Sequence, residues 1–124
     1  MSSIKENPLK KVLIICAKGS IEDVYAALVM TNGAVMEGIE AKLFFTFFGL
    51  DAITKKQMKK LDIPTVDEFL EMITAGGGEI YACKLAADMF KLKKEDLSEH
   101  VKNIITVGEF YEMADGHGTQ IIFT

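Results

Sequence analysis

Tryptophan is absent from the chain, and proline, histidine and cysteine each occur only twice. Two distant cysteines, Cys16 and Cys83, make no disulfide scaffold and read as the free thiols of a reducing compartment. There is no CxxC pair, and His100 and His117 have no metal-ligand spacing to either thiol, so no zinc site is expected. No basic run with interleaved aromatics occurs. A net charge of −4 and a pI near 5.2 argue against a nucleic-acid or anionic-membrane partner. Every long apolar stretch is broken by Glu, Lys or Gly, short of the ~20 residues that span a bilayer. Met1 to Lys11 is polar and lacks the apolar region of a signal peptide, so a cytoplasmic location is expected. Neither the P-loop pattern nor the Rossmann glycine pattern is present, and no cofactor is expected.

What remains is a chain of 124 residues, 49% hydrophobic and 26% charged, the size and composition of one globular domain spanning residues 1–124. Such a length buries a real core without a metal or a disulfide. The mean hydropathy of +0.20 is high for so small a monomer and points to apolar surface buried against another copy.

Met1 to Asn7 reads as a flexible arm ended by Pro8. Lys11 to Ala17 is a β-rich apolar run without polar alternation, the mark of a strand buried on both faces. Ser20 is placed to cap a helix whose first turn holds Glu22 and Asp23 and which stops at Gly38. That helix is apolar on nearly every side, so one face should pack on the sheet and another on a second subunit. Glu40 to Phe48 predicts a second strand ended by Gly49, followed by a Lys-rich segment to Lys60. Thr65-Val66-Asp67-Glu68 is a capping box opening a helix that Gly76-Gly77-Gly78 ends. Glu79 to Cys83 is a third strand. Lys84 to Lys91 reads as a helix with Leu85, Ala86, Met89 and Phe90 on one side. Asn103 to Val107 predicts a fourth strand, Glu109 to Ala114 a short helix and Thr119 to Phe123 a fifth strand. Strands alternating with helices give an α/β three-layer sandwich with a mostly parallel five-stranded sheet. Its strand order stays open.

In such sheets sites lie beyond the carboxyl ends of the strands. Cys83 stands at such an end and at the start of the next helix, where backbone N–H groups and Lys84 favour a thiolate. The bland reading is a small core residue, as free cysteine often is. Cys16 lies inside an apolar run and reads as core; it becomes a resolving thiol only if its strand neighbours that of Cys83. Lys18-Gly19-Ser20 has the form of an anion-binding turn, although an ordinary strand-to-helix turn accounts for it. Phe44, Phe45, Phe47 and Phe48 read as sheet core, with Phe47 and Phe48 at the strand end the best pocket candidates. Glu109 and Glu112 read as a solvated helix face and His117 as a turn residue.

Ile80-Tyr81-Ala82-Cys83-Lys84-Leu85-Ala86-Ala87-Asp88-Met89 resembles the active-cysteine segment of DsrE/DsrF-like proteins. Lys18-Gly19, Phe44-Phe45-Thr46-Phe47-Phe48-Gly49-Leu50 and Leu61-Asp62-Ile63-Pro64-Thr65 agree, so the resemblance spans Lys10 to Thr124. It is nearest to the branch called DsrE-like or "peroxiredoxin family", though no Thr-x-x-Cys pattern stands near either thiol. The resemblance implies a DsrEFH-like, flavodoxin-like fold assembled as homotrimers or homohexamers. It implies that Cys83 carries sulfane sulfur as a persulfide or thiosulfonate, and that TusA-like or rhodanese-like proteins are its partners. Lys18, Gly19, Phe47, Phe48, Tyr81 and Lys84 would then bind or shield that sulfur. No cysteine follows Cys83, so no disulfide forms on that side. A ligand- or nucleotide-binding module and an inert oligomeric subunit are the alternatives.

Overall fold

The computed structural model describes residues 8–58, 65–116 and 118–124. The arm Met1–Asn7, the segment Leu61–Pro64 and His117 lie outside the described residues. Five strands, β1 (Lys11–Cys16), β2 (Glu40–Phe45), β3 (Glu79–Cys83), β4 (Asn103–Ile105) and β5 (Thr119–Phe123), form one sheet in the order β4-β3-β2-β1-β5. Every pairing is parallel, so the sheet is parallel throughout rather than mostly so. The helices are α1 (Ile21–Met36), α2 (Lys55–Met58), α3 (Val66–Ala75), α4 (Lys84–Met89) and α5 (Val107–Glu112).

The chain steps outward from β1 to β4 in one direction, then crosses back over the sheet to β5. Because parallel crossovers are right-handed, this reversal puts α5 on the face opposite α1, α3 and α4. Side chains confirm the two faces. Cys16 Sγ reaches the Asp23 carbonyl of α1 at 4.0 Å. Phe44, in register with Ile15 and Tyr81, points the other way and stacks on Phe110 of α5 with ring centroids 4.4 Å apart. Leu13, Ile14, Leu43, Phe45, Ile80, Leu28, Leu70, Ile73 and Phe110 are fully buried and bind the three layers together.

Local signals explain most boundaries. Ser20 Oγ accepts the Asp23 N–H at 3.3 Å, and α1 ends at Glu37 before Gly38, which lies at φ 80°. Thr65 and Glu68 form the expected capping box, with bonds of 2.8 and 3.1 Å. Two boundaries and one helix face correct the sequence reading. β2 stops at Phe45, and Phe47–Ile53 wind into a 3-10 helix. The reason is tight packing at the strand ends: a Cβ on Gly49 would lie 2.3 Å from the Cys16 carbonyl oxygen. Second, α4 buries Ala86 and Ala87, while Leu85 and Met89 are exposed, because only small side chains fit under this helix. Third, α5 begins at Val107 rather than Glu109, since Thr106 and Glu109 make a second capping box, with bonds of 2.8 and 3.0 Å.

The amino half of the α5 face holds charge. Lys42 pairs with Glu79 and, at 3.2 Å, with Glu40; Lys102 reaches Glu79 at 2.8 Å, and the Tyr81 hydroxyl donates to Glu79 at 2.6 Å. Lys11 closes the sheet's end on Asp115 and on the Met113 carbonyl at 2.6 Å. Burial works to raise the Glu79 carboxyl, but hydrogen bonds from Lys102, Lys42 and Tyr81 overcome it and hold the group down to about 2. A carboxylate depressed in the fold stabilises it above the unfolded value, and loses that contribution as pH falls through the folded one. Glu79→Gln should therefore cost roughly 1–3 kcal/mol near neutral pH. In urea denaturation the gap to wild type should close as pH falls from about 4.5 toward about 2. A gap that does not change with pH would contradict this account of the network.

Candidate functional site

Among the described residues, the neighbouring strands β3 and β4 send the chain to opposite faces. After β3 the chain enters α4 on one side of the sheet; after β4 it enters α5 on the other. Such a switch opens a crevice at the carboxyl ends, where ligands bind in open α/β sheets. A cleft of about 430 Å³ lies there, lined by Lys84, Leu85, Asp88, Thr106, Val107 and Gly108.

Cys83 is the last residue of β3, in register with Ile105, and the first four strand residues before it are half-buried or buried. It is itself 2% exposed. It is also the N-cap of α4, with φ −75° and ψ 125°. The N-caps of α1, α3 and α5 are Ser20, Thr65 and Thr106, and each hydroxyl accepts a first-turn N–H. Cys83 makes no such bond. Among the described residues no side chain caps the first-turn amides of α4, which remain donors beside the sulfur.

Lys84, adjacent to Cys83 in sequence, lines the cleft, but its ammonium pairs with Asp88 at 3.2 Å. The pair is more than half exposed, so it is worth well under 1 kcal/mol and opens easily. Tyr81 is buried two residues back along β3, its hydroxyl held by Glu79, and burial together with that carboxylate pushes its pKa up. Lys18 and Gly19 sit in the exposed turn after β1. They are drawn against the turn after β2: a Cβ on Gly19 would come within 2.6 Å of the Phe48 carbonyl oxygen. Phe47 has φ 46°, a left-handed conformation that is strained for an aromatic residue. Phe48 is exposed and its ring lies 5.7 Å from that of Phe90, at the far end of α4. Of the predicted binding residues, then, Lys84 borders the cleft, while Lys18, Gly19, Phe47 and Phe48 form a second cluster along the same sheet edge. Glu109 is engaged in the α5 capping box.

Val107-Gly108-Glu109 is one of the strand-end turns at which the sequence places candidate sites, but none of Thr106, Val107 and Gly108 is among the predicted binding residues. The signal was present, since Thr106-Val107-Gly108-Glu109 has the Thr-x-x-Glu form of a helix start. Their place beside Cys83 follows only from strand order. That order also settles Cys16. β2 separates β1 from β3, so the two cysteine backbones are about 9–10 Å apart, beyond the ~7 Å limit for a disulfide. By strand alternation the two side chains also face opposite sides of the sheet. Cys16 is fully buried and donates to the Lys18 carbonyl at 3.5 Å, and burial raises its pKa. It is a core residue and cannot resolve Cys83. Among the described residues no group of His, Cys, Asp and Glu could hold a metal ion, and no helix is long and apolar enough to cross a membrane.

The chain belongs to the DsrE/DsrF/DrsH-like family, whose model matches residues 8–57 and 51–122. It is 28% identical to the uncharacterized protein YrkE of Bacillus subtilis, over 91% of this chain and 71% of that one. It is 22% identical to the sulfur carrier protein DsrE2 of Allochromatium vinosum, over 85% of this chain and 92% of that one. The fold is similar to the crystal structure of the ychN protein from E. coli, with a TM-score of 0.76 at 18% identity, covering 94% of this chain and 100% of that one.

The N-cap geometry has a measurable consequence. Serine at position 83 would supply the hydroxyl cap that the other helices use. Cys83→Ser should therefore be more stable than Cys83→Ala by about 1 kcal/mol in urea denaturation. Equal stabilities would contradict the assignment of residue 83 as the cap of α4.

Proposed function

We propose that this protein is a sulfur-relay carrier that holds sulfane sulfur on Cys83 and passes it to a thiol on a partner protein. One observation carries the reading: Cys83 takes the N-cap position of α4 without capping it, directly before Lys84 and Leu85, which line the switch-point cleft. A residue chosen only for stability there would be serine or threonine, as at α1, α3 and α5. Family membership and similarity to a sulfur carrier protein support the same reading.

The chemistry needs a nucleophilic sulfur and a place for its product. The Cys83 thiolate attacks the outer sulfur of a donor persulfide, forming an S–S bond while the donor thiolate leaves with the electron pair. An acceptor thiolate then attacks that outer sulfur and Cys83 leaves as thiolate. No net oxidation occurs in either step. The outer sulfur stands about 2 Å beyond Sγ, which carries it from the buried position toward the cleft. The first-turn amides of α4 stabilise the anionic forms, and Leu85 and Val107 flank the opening and exclude competing thiols. Lys84 is released from Asp88 to meet a negative donor. The family's carriers of the TusA-like and rhodanese-like kinds are suitable partners. Because Cys16 lies on the other face of the sheet, release depends on an external thiol.

Tetrathionate tests the assignment. The Cys83 thiolate displaces thiosulfate from it and retains an S–SO3 group as a thiosulfonate. Intact-mass measurement should find one such adduct on wild type and on Cys16→Ser, reversed by excess dithiothreitol, and none on Cys83→Ser. An equal adduct on Cys83→Ser, or none on wild type, overturns the proposal.

A further inference from the structure

The two edges of the sheet are built differently. β4, at one edge, has three residues, follows Lys102, and has its Ile104 N–H taken by the Asn103 side chain at 2.9 Å. These are the usual protections of an edge strand: shortness, a nearby charge and an occupied donor. β5, at the other edge, has five residues and none of these devices. From Thr119 to Thr124 there is no charge and no proline. Among the described residues, β5 pairs with β1 alone.

The backbone directions are fixed by the inner pairing. Thr124 donates its N–H to the Ile15 carbonyl at 2.8 Å, and its carbonyl accepts from Ala17 at 3.1 Å. In a strand, N–H and C=O of one residue point to the same side and alternate along the chain. Gln120, Ile122 and Thr124 therefore face β1, and Thr119, Ile121 and Phe123 present their backbone groups outward. The side chains of Ile121 and Phe123 are 45% and 68% exposed and share the α5 face of the sheet with exposed Tyr111. An outward row of N–H and C=O groups next to bare apolar side chains is a template for another strand.

We propose that β5 pairs antiparallel with β5 of a second copy across a two-fold axis, joining the sheets of two protomers into one. The strand's chemistry selects this occupant. An edge with no charge faces itself without like-charge repulsion, and an antiparallel two-fold contact is self-complementary. With Ile121 opposite its own counterpart, Thr119 stands opposite Phe123, so each outward donor meets an outward acceptor. The contact also covers Ile121 and Phe123 on the α5 face. It lies across the sheet from the β3–β4 crevice and leaves Cys83 open, so it is independent of the sulfur-carrier reading.

Sedimentation equilibrium and hydrogen exchange on the full chain test it. Wild type should have a mass that is an even multiple of the chain. Phe123→Lys places like charges across the axis, and Ile121→Pro deletes an outward N–H that the protomer does not use. Both should halve the mass, whereas Met72→Lys, on α3 and as exposed as Ile121, should leave it unchanged. In wild type the Ile121 and Phe123 amides should exchange as slowly as those of the β1–β5 pairing, a readout that needs no variant. A monomeric wild type, the outcome if Met1–Asn7 took the edge instead, overturns the proposal. So does an odd stoichiometry, unprotected Ile121 and Phe123 amides, or a mass that both variants leave intact.

Discussion

All five strands run the same way, and everything chemical about this molecule depends on that constraint. Parallel pairing gathers every strand's carboxyl end on one edge of the sheet. Right-handed connection then decides which helices lie on which face. While the chain moves outward from β1 to β4, each connection returns to the same face. The return to β5 breaks the pattern once, and the break opens the crevice between Cys83 and Thr106. The same return carries α5 across the second face, where Phe110 stacks on Phe44 and Met113 and Asp115 receive Lys11. A reversal at any other strand would have placed the crevice beside a different residue.

At that crevice the protein departs from its own habits of stability. Three helices begin with a hydroxyl that satisfies a first-turn amide, and α4 begins with a thiol that does not. The departure costs about 1 kcal/mol, the usual worth of a cap. It leaves polarised N–H groups next to the Cys83 sulfur. Phe47, held in a left-handed conformation at the end of β2, is a second local cost on the same edge. The opposite, amino-terminal half of the sheet has no such compromises: Glu79, Lys42, Lys102 and Tyr81 satisfy one another across neighbouring strands.

Short-range chemistry in the sequence located β1, α1, α3, β3 and β5 nearly to the residue, because each has a cap, a glycine stop or an uninterrupted β-rich run. Long-range contacts decided what the sequence misplaced. Phe47 and Phe48 continue an apolar run, but the close approach of Gly49 to Cys16 bends them out of the strand. In α4 the larger apolar residues Leu85 and Met89 suggested the buried side, yet the space beneath admits only Ala86 and Ala87. Val107 looked like strand because it follows Ile104 and Ile105, although Thr106 and Glu109 held a capping box in plain view. Cys83 was identifiable as a strand-end thiol from its neighbours alone. Its partners across the cleft, and the exclusion of Cys16, required the strand order, which no local pattern encodes.

The central claim is that Cys83 carries sulfur at the β3–β4 crevice. A crystal structure of the protein loaded with sulfane sulfur tests it most directly. The account predicts electron density for an added sulfur on Cys83 Sγ, directed between Leu85 and Val107 and within hydrogen-bonding reach of the first-turn amides of α4. Added density on Cys16 instead, or an unmodified Cys83 in protein whose mass includes the added sulfur, would contradict it.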